Sequence, residues 1–239
     1  MRVVKLFGRR PRRNDAARLG PRRDSSAAVN RVDLEELTPE LLPYLGQAAY
    51  LQLVTFETLS RAVATAPSIA SKEAMSRCAA LSLAKHHGLT AEVVRKGAQP
   101  GSTMQPYVAA IDHYARVTAG ADWYETLVTS YVTAGLLDDF SRQLAGGLPS
   151  DASERIVALL SGDDGHELIV AELRAAIEAN PRLASRLALW GRRLVGDTLL
   201  VARSALAAHS HPDEARLEPV FTELIAAHTR RMDALGLTA

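Results

Sequence analysis

Residues 48–94 carry two consecutive helical periods, and each puts a polar group where its apolar seam should continue. The first half reads AAYLQLVTFETLSRAVATAP and the second KEAMSRCAALSLAKHHGLTAEVV. In the second, Met75, Ala79, Ser82, His86, Leu89 and Val93 recur at steps of three and four, which places them on one helical face. His86 therefore points with the apolar residues, inward. In the first half, Glu57 and Arg61 are the only charges between Leu45 and Ala66. A carboxylate on one buried helix and an imidazole on its antiparallel neighbour suggest a metal site inside a helical bundle. Two plainer readings stand beside it: a surface ion pair between Glu57 and Arg61, and a core histidine bonded to a carbonyl.

The rest of the chain repeats the helical theme. Thr38-Pro39 resembles a helix start, and Pro67 ends the first helix after about Ala66. Ser71 opens the second helix, which runs to Lys96 before Gly97. Residues 97–121 are a long connection with one amphipathic piece, Pro106 to Thr118. A third helix runs from a cap at Asp122 to Ala145, and a fourth from a cap at Ser150 to Ala179 despite Gly162 and Gly165. Asn180-Pro181 restarts the chain into a fifth helix, and a last one covers Asp213 to Leu235. No stretch reads as a strand. Abundant alanine and leucine with few aromatics agree with an all-α fold.

The fourth helix carries Ile156, Leu159, Leu160, Val170, Leu173 and Ile177 as its stripe, interrupted by Asp163 and His166. Those two lie three residues apart on one helical face, so both can bind one ion. On the third helix Glu125 aligns with Val128, Val132, Leu136 and Asp139, although a carboxylate one turn from a helix start is also favoured by the dipole. Asp197 sits on the fifth helix's seam between Leu194 and Val201, and is expected to pair with an arginine or to support a histidine. The lone cysteine, Cys78, sits among apolar neighbours and reads as packing.

The net charge of +1 conceals an asymmetry. Residues 1–31 hold ten basic side chains against two acids, +8, which leaves −7 for residues 32–239. Residues 1–31 lack helical period and are expected to be a disordered tail, with 32–239 as one helical domain. Arg9, Arg10, Arg12, Arg13, Arg22 and Arg23 would serve either as an arm for RNA or as a solubilising leader. No apolar run approaches a membrane span, and no apolar segment follows the arginines to make a secretory signal. The expected location is the cytoplasm.

AYLQLVTFETLSRA, HHGL, DWYETLVTSYVTAGLLDDF and LALWGRRLVGD resemble an actinobacterial branch of the tRNA 2-methylthio-N6-isopentenyladenosine hydroxylase-like family, over residues 40–205. The resemblance implies a ferritin-like four-helix bundle, with a long crossover between helices 2 and 3 and two extra C-terminal helices. It also implies that Glu57, His86, Glu125, Asp163 and His166 occupy metal-ligand positions, with Asp197 in support. Leu83 stands where those hydroxylases place the second-helix glutamate that helps bridge two irons. The expected function is a binding or scaffold protein on a degenerate di-metal site, holding one or two irons or none, with RNA as a candidate partner. The alternative is a di-iron oxygenase that hydroxylates a modified tRNA adenosine.

Overall fold

The structure, a computed structural model, describes residues 38–207 and 214–239, with side chains from 38 to 200 and from 221 onward. The arginine-rich segment 1–31 lies outside the described residues. The fold is all-α: a ferritin-like bundle with two additional C-terminal helices. Its helices are α1 (Leu41–Ala64), α2 (Ile69–Arg95), α3 (Pro100–Met104), α4 (Val108–Val117), α5 (Trp123–Thr129), α6 (Gly135–Ala145), α7 (Ser150–Leu160), α8 (His166–Ala179), α9 (Pro181–Ala207) and α10 (Glu214–Ala234).

α1 and α2 form a tight antiparallel hairpin, because small residues line the seam. Ala48, Ala49 and Ala62 on α1 and Ala79 on α2 are all buried. Leu45, Met75 and Leu89 fill the space above and below them and are fully enclosed. Burial of each such side chain is worth about 1.5–3 kcal/mol. Helix starts differ slightly from the sequence reading. Thr38 does not cap α1; its hydroxyl donates to the Leu144 carbonyl at 2.8 Å and ties the chain to the end of α6. Ser68, three residues before the expected Ser71, caps α2 by accepting from the Ser71 amide. The expected cap at Asp122 is present.

The long connection after α2 carries α3, a short 3-10 turn at Gln105–Tyr107, and α4, which buries Ile111 and Tyr114 against α1. The third long helix is continuous from Trp123 to Ala145, but Ser130–Ala134 form a π turn at its centre. π turns are rare, cluster at functional sites, and insert an extra residue into the helical register.

The fourth helix is not one helix. It breaks after Leu160 and resumes at His166, with Gly165 in the left-handed region at φ 70°. A β-carbon on Gly165 would lie 2.7 Å from the Cys78 sulfur, so this turn is pressed onto α2 and suits only glycine. The break removes the helical relation between Asp163 and His166 that the sequence reading assumed. Upstream of it, α7 lies equally close, since a β-carbon on Gly88 would meet Leu159 at 2.6 Å. Among the described residues no helix is long and apolar enough to cross a membrane.

Candidate functional site

Where α1, α2, the third long helix and α8 face one another, the core is ionic rather than apolar. Lys85 on α2 is only 4% exposed, and its ammonium donates to Asp138 Oδ2 at 3.0 Å. Gln52 on α1 donates to the other oxygen, Oδ1, at 2.5 Å. Both oxygens of the Asp138 carboxylate are thus occupied, one by a cation and one by an amide. Ser82, Ser130, Asp164 and His166 complete the same small chamber of about 10 Å³. That volume is at the threshold for a single water.

The chamber is closed on the α8 side by a carboxylate–imidazole pair. Asp164 Oδ2 meets His166 Nδ1 at 2.8 Å, and Asp164 Oδ1 accepts the His166 amide at 3.0 Å. Burial alone would raise the Asp164 carboxyl. The bonds and charge of His166, with the more distant Lys85, outweigh it and bring the group down to about 2. The His166 ring packs edge-on to Tyr131, with centroids 5.2 Å apart.

The residues named from the sequence lie elsewhere or are otherwise engaged. Glu57 is exposed on α1 and pairs with Arg61 at 3.8 Å. His86 is half-buried, and its Nδ1 bonds the Ala49 carbonyl at 2.9 Å, locking α2 to α1. Glu125 is buried, but its Oε2 accepts the Ala121 amide at 2.9 Å and its Oε1 lies 3.4 Å from Arg186. With Asp122 accepting the Glu125 amide, it organises the start of α5. Asp163 is exposed in the turn before α8, where Oδ1 accepts the Gly165 amide at 2.9 Å. His166 alone of the five joins the ionic chamber. Among the described residues, no three of His, Cys, Asp or Glu gather in a way that could hold a metal ion.

Asp197 is half-buried on α9, and its charge reaches Tyr114. Burial is the larger cause, and together they push the Tyr114 phenol up to about 12. Cys78 is fully buried, and burial raises its thiol to about 11, consistent with packing rather than nucleophilic use.

Sequence reasoning missed Lys85 and Asp138. The available signal was spacing, since Lys85 follows Ser82 by three and precedes Leu89 by four, as consistent with the seam as His86. Lysine is almost never fully buried unless paired, so its partner had to be known first.

A second concavity borders the same π turn. It has a volume of about 370 Å³ and is walled by α1, α4, the 118–122 loop and α5 with the π turn. Its floor holds Ile111, Tyr114 and Leu137, and its mouth is marked by the exposed Arg61 and Thr65. Ser130, Thr55 and Ala134 line both this cavity and the ionic chamber.

Residues 38–214 match a family model described as ferritin-like domain, actinomycetes. No curated protein matches the chain.

Proposed function

Because the chain belongs to this ferritin-like family of actinomycetes, we propose that it is a binding protein that keeps the bundle and has replaced a di-metal centre with a protein ion pair. One observation carries the reading. The buried Lys85 ammonium lies where four helices converge and neutralises Asp138, the carboxylate at the centre. A dinuclear carboxylate site needs several unshared anionic oxygens and imidazole nitrogens around a common point. Here the remaining candidates are spent: Glu125 on the Ala121 amide and Arg186, His86 on Ala49, and Asp164 on His166. A fixed ammonium beside the chamber also repels any added cation.

The residues of this core therefore hold four helices in register instead of holding an ion. Gln52, Lys85 and Asp138 link α1, α2 and α6 through one carboxylate. The Asp164–His166 pair closes the α8 side. A chamber of about 10 Å³ has room for at most a water beside its own side chains, which supports a scaffold with a binding task rather than a substrate site.

The test is metal content. Protein purified without added metal, and again after incubation with ferrous iron and desalting, should hold well under one ion per chain. One or two tightly held ions per chain would overturn this reading. Two would return the tRNA-adenosine oxygenase to first place.

A further inference from the structure

We propose that the cavity between α1, α4 and α5 binds a neutral, mostly hydrocarbon molecule carrying a hydroxyl group. This names a ligand class for the binding role above and rests on that reading. The volume, about 370 Å³, falls within the range of small-molecule sites. It equals about a dozen waters at ~30 Å³ each, which suits a ligand of roughly ten non-hydrogen atoms. Most of the exposed wall is apolar, so hydrocarbon gains from entering it.

The polar part of the wall decides the ligand's chemistry, because its hydrogens are already used. Thr55 donates to the Leu51 carbonyl, Thr58 to Val54, Thr118 to Tyr114, Thr126 to Asp122 and Thr133 to Thr129. Thr129 donates to the Thr118 carbonyl and accepts from the Trp190 indole. Thr198 spends its hydrogen on the Leu194 carbonyl, so the 2.7 Å contact with Tyr114 makes the phenol the donor there. A hydroxyl with its one hydrogen committed can only accept. The cavity thus offers lone pairs from several sides and scarcely any donors.

A carboxylate needs several donors and would find, besides the single Ser130 hydroxyl, only Arg61 at the mouth, which is exposed and already paired with Glu57. An ammonium needs a counter-charge, and Asp122, the one carboxylate in the wall, is bound to Arg186 at 2.5 Å and caps α5. Burying either charge without compensation is costly. An alcohol supplies the missing hydrogen without a charge.

Ser130 gives the site a second handle. It is 5% exposed, lies in the π turn, and its Oγ has no protein partner. Its neighbours on the helix, Thr129 and Thr133, are both satisfied. The Ser130 Oγ is enclosed among protein atoms where cavity and chamber meet, so a ligand hydroxyl takes up its unspent capacity only with a small shift of the π turn, where the helix departs from α geometry.

The test uses the full chain, with 1-octanol, octanoate and octylammonium as probes in isothermal titration. 1-Octanol should bind saturably with one site per chain, and the two charged probes at least tenfold more weakly. Ala115, half-buried on α4, lines the cavity. Ala115→Phe should abolish octanol binding while the circular dichroism spectrum is kept. Ser130→Ala should weaken octanol about three- to tenfold, the worth of one hydrogen bond. No saturable octanol binding, equal binding of octanoate or octylammonium, or full binding by a folded Ala115→Phe would each overturn the proposal. An unchanged affinity in Ser130→Ala would remove the serine from it. Metal content is measured on the same preparation, so metal-free protein that ignores octanol sinks this inference and leaves the scaffold reading standing.

Discussion

The ionic chamber and the threonine-lined cavity meet along one π turn, sharing Thr55, Ser130 and Ala134, and they solve the problem of buried polarity in opposite ways. In the chamber, an ammonium meets a carboxylate at 3.0 Å, an amide takes the other oxygen at 2.5 Å, and little space remains. In the cavity, no charge is left unpaired, most of the threonine hydroxyls bond back to their own helices, and about 370 Å³ stays open. The difference separates structure from binding. A chamber whose charged groups satisfy one another has little to offer a ligand, whereas lone pairs beside an open volume do.

The comparison breaks most sharply at Asp138. Removing one partner of a buried pair leaves the other charge uncompensated, and Asp138→Ala should cost about 3–5 kcal/mol through the stranded Lys85. Replacing both, as Lys85→Met with Asp138→Leu, should recover most of that loss, because hydrocarbon of similar volume carries no desolvation penalty. Urea denaturation of the two variants beside wild type decides it. A mild Asp138→Ala would mean that the chamber is not the structural centre described here.

How much of this was legible in the sequence depends on what a linear pattern can encode. Helical periodicity located most of the helices, because apolar spacing follows burial directly. It failed between residues 161 and 165, where Gly162 and Gly165 signalled a break that the continuous stripe from Ile156 to Ile177 overrode. It failed again on the third helix. The π turn shifts the register there, so Asp138 enters the chamber, while Asp139, on the expected stripe, pairs with Arg142 and Arg231. The candidate ligands were residues of the right type on the right helices. Their real partners, Ala49, Ala121, Arg186 and the Gly165 amide, depend on tertiary packing or turn geometry that spacing does not encode.

The next effect comes from His228 on α10, which is 3% exposed with neither ring nitrogen bonded to protein. Burial first, and then the nearby Arg231 cation, lower its pKa below the ordinary value of 6.5. The unfolded chain therefore takes up a proton that the folded chain refuses. Stability falls as pH drops below about 6.5, at up to ~1.4 kcal/mol per pH unit, until the folded group titrates. His228→Leu should flatten that slope between about pH 6.5 and 5. Asp164, held at about 2, has the same sign in a separate window, losing its contribution as pH falls from about 4 toward 2. Denaturation midpoints measured across both windows, with and without His228→Leu, separate the two groups.

Ser130 is expected to give a smaller change of opposite sign. A buried hydroxyl without a protein partner costs folding free energy, so Ser130→Ala should stabilise the ligand-free protein by about 1 kcal/mol. The same substitution weakens octanol, so one residue trades stability against binding on the cavity side of the comparison. A destabilised Ser130→Ala would place the hydroxyl in the chamber's network instead.

The smallest effect belongs to Glu57, which the sequence put first among the metal ligands. Its side chain is 54% exposed, and its pairing with Arg61, one turn along α1, spans 3.8 Å between two solvated groups. Such pairs are screened by water and salt and are worth about 0.3–0.5 kcal/mol. Glu57→Gln should therefore change the unfolding free energy by less than ~0.5 kcal/mol, with the difference fading as salt is raised. It should leave metal content where it was. Glu57 and Asp138 are both acids on long bundle helices, so the contrast between their substitutions isolates burial as the cause. A loss of more than about 2 kcal/mol in Glu57→Gln would mean that α1 turns this carboxylate toward the core, and the separation of chamber from surface drawn here would fail.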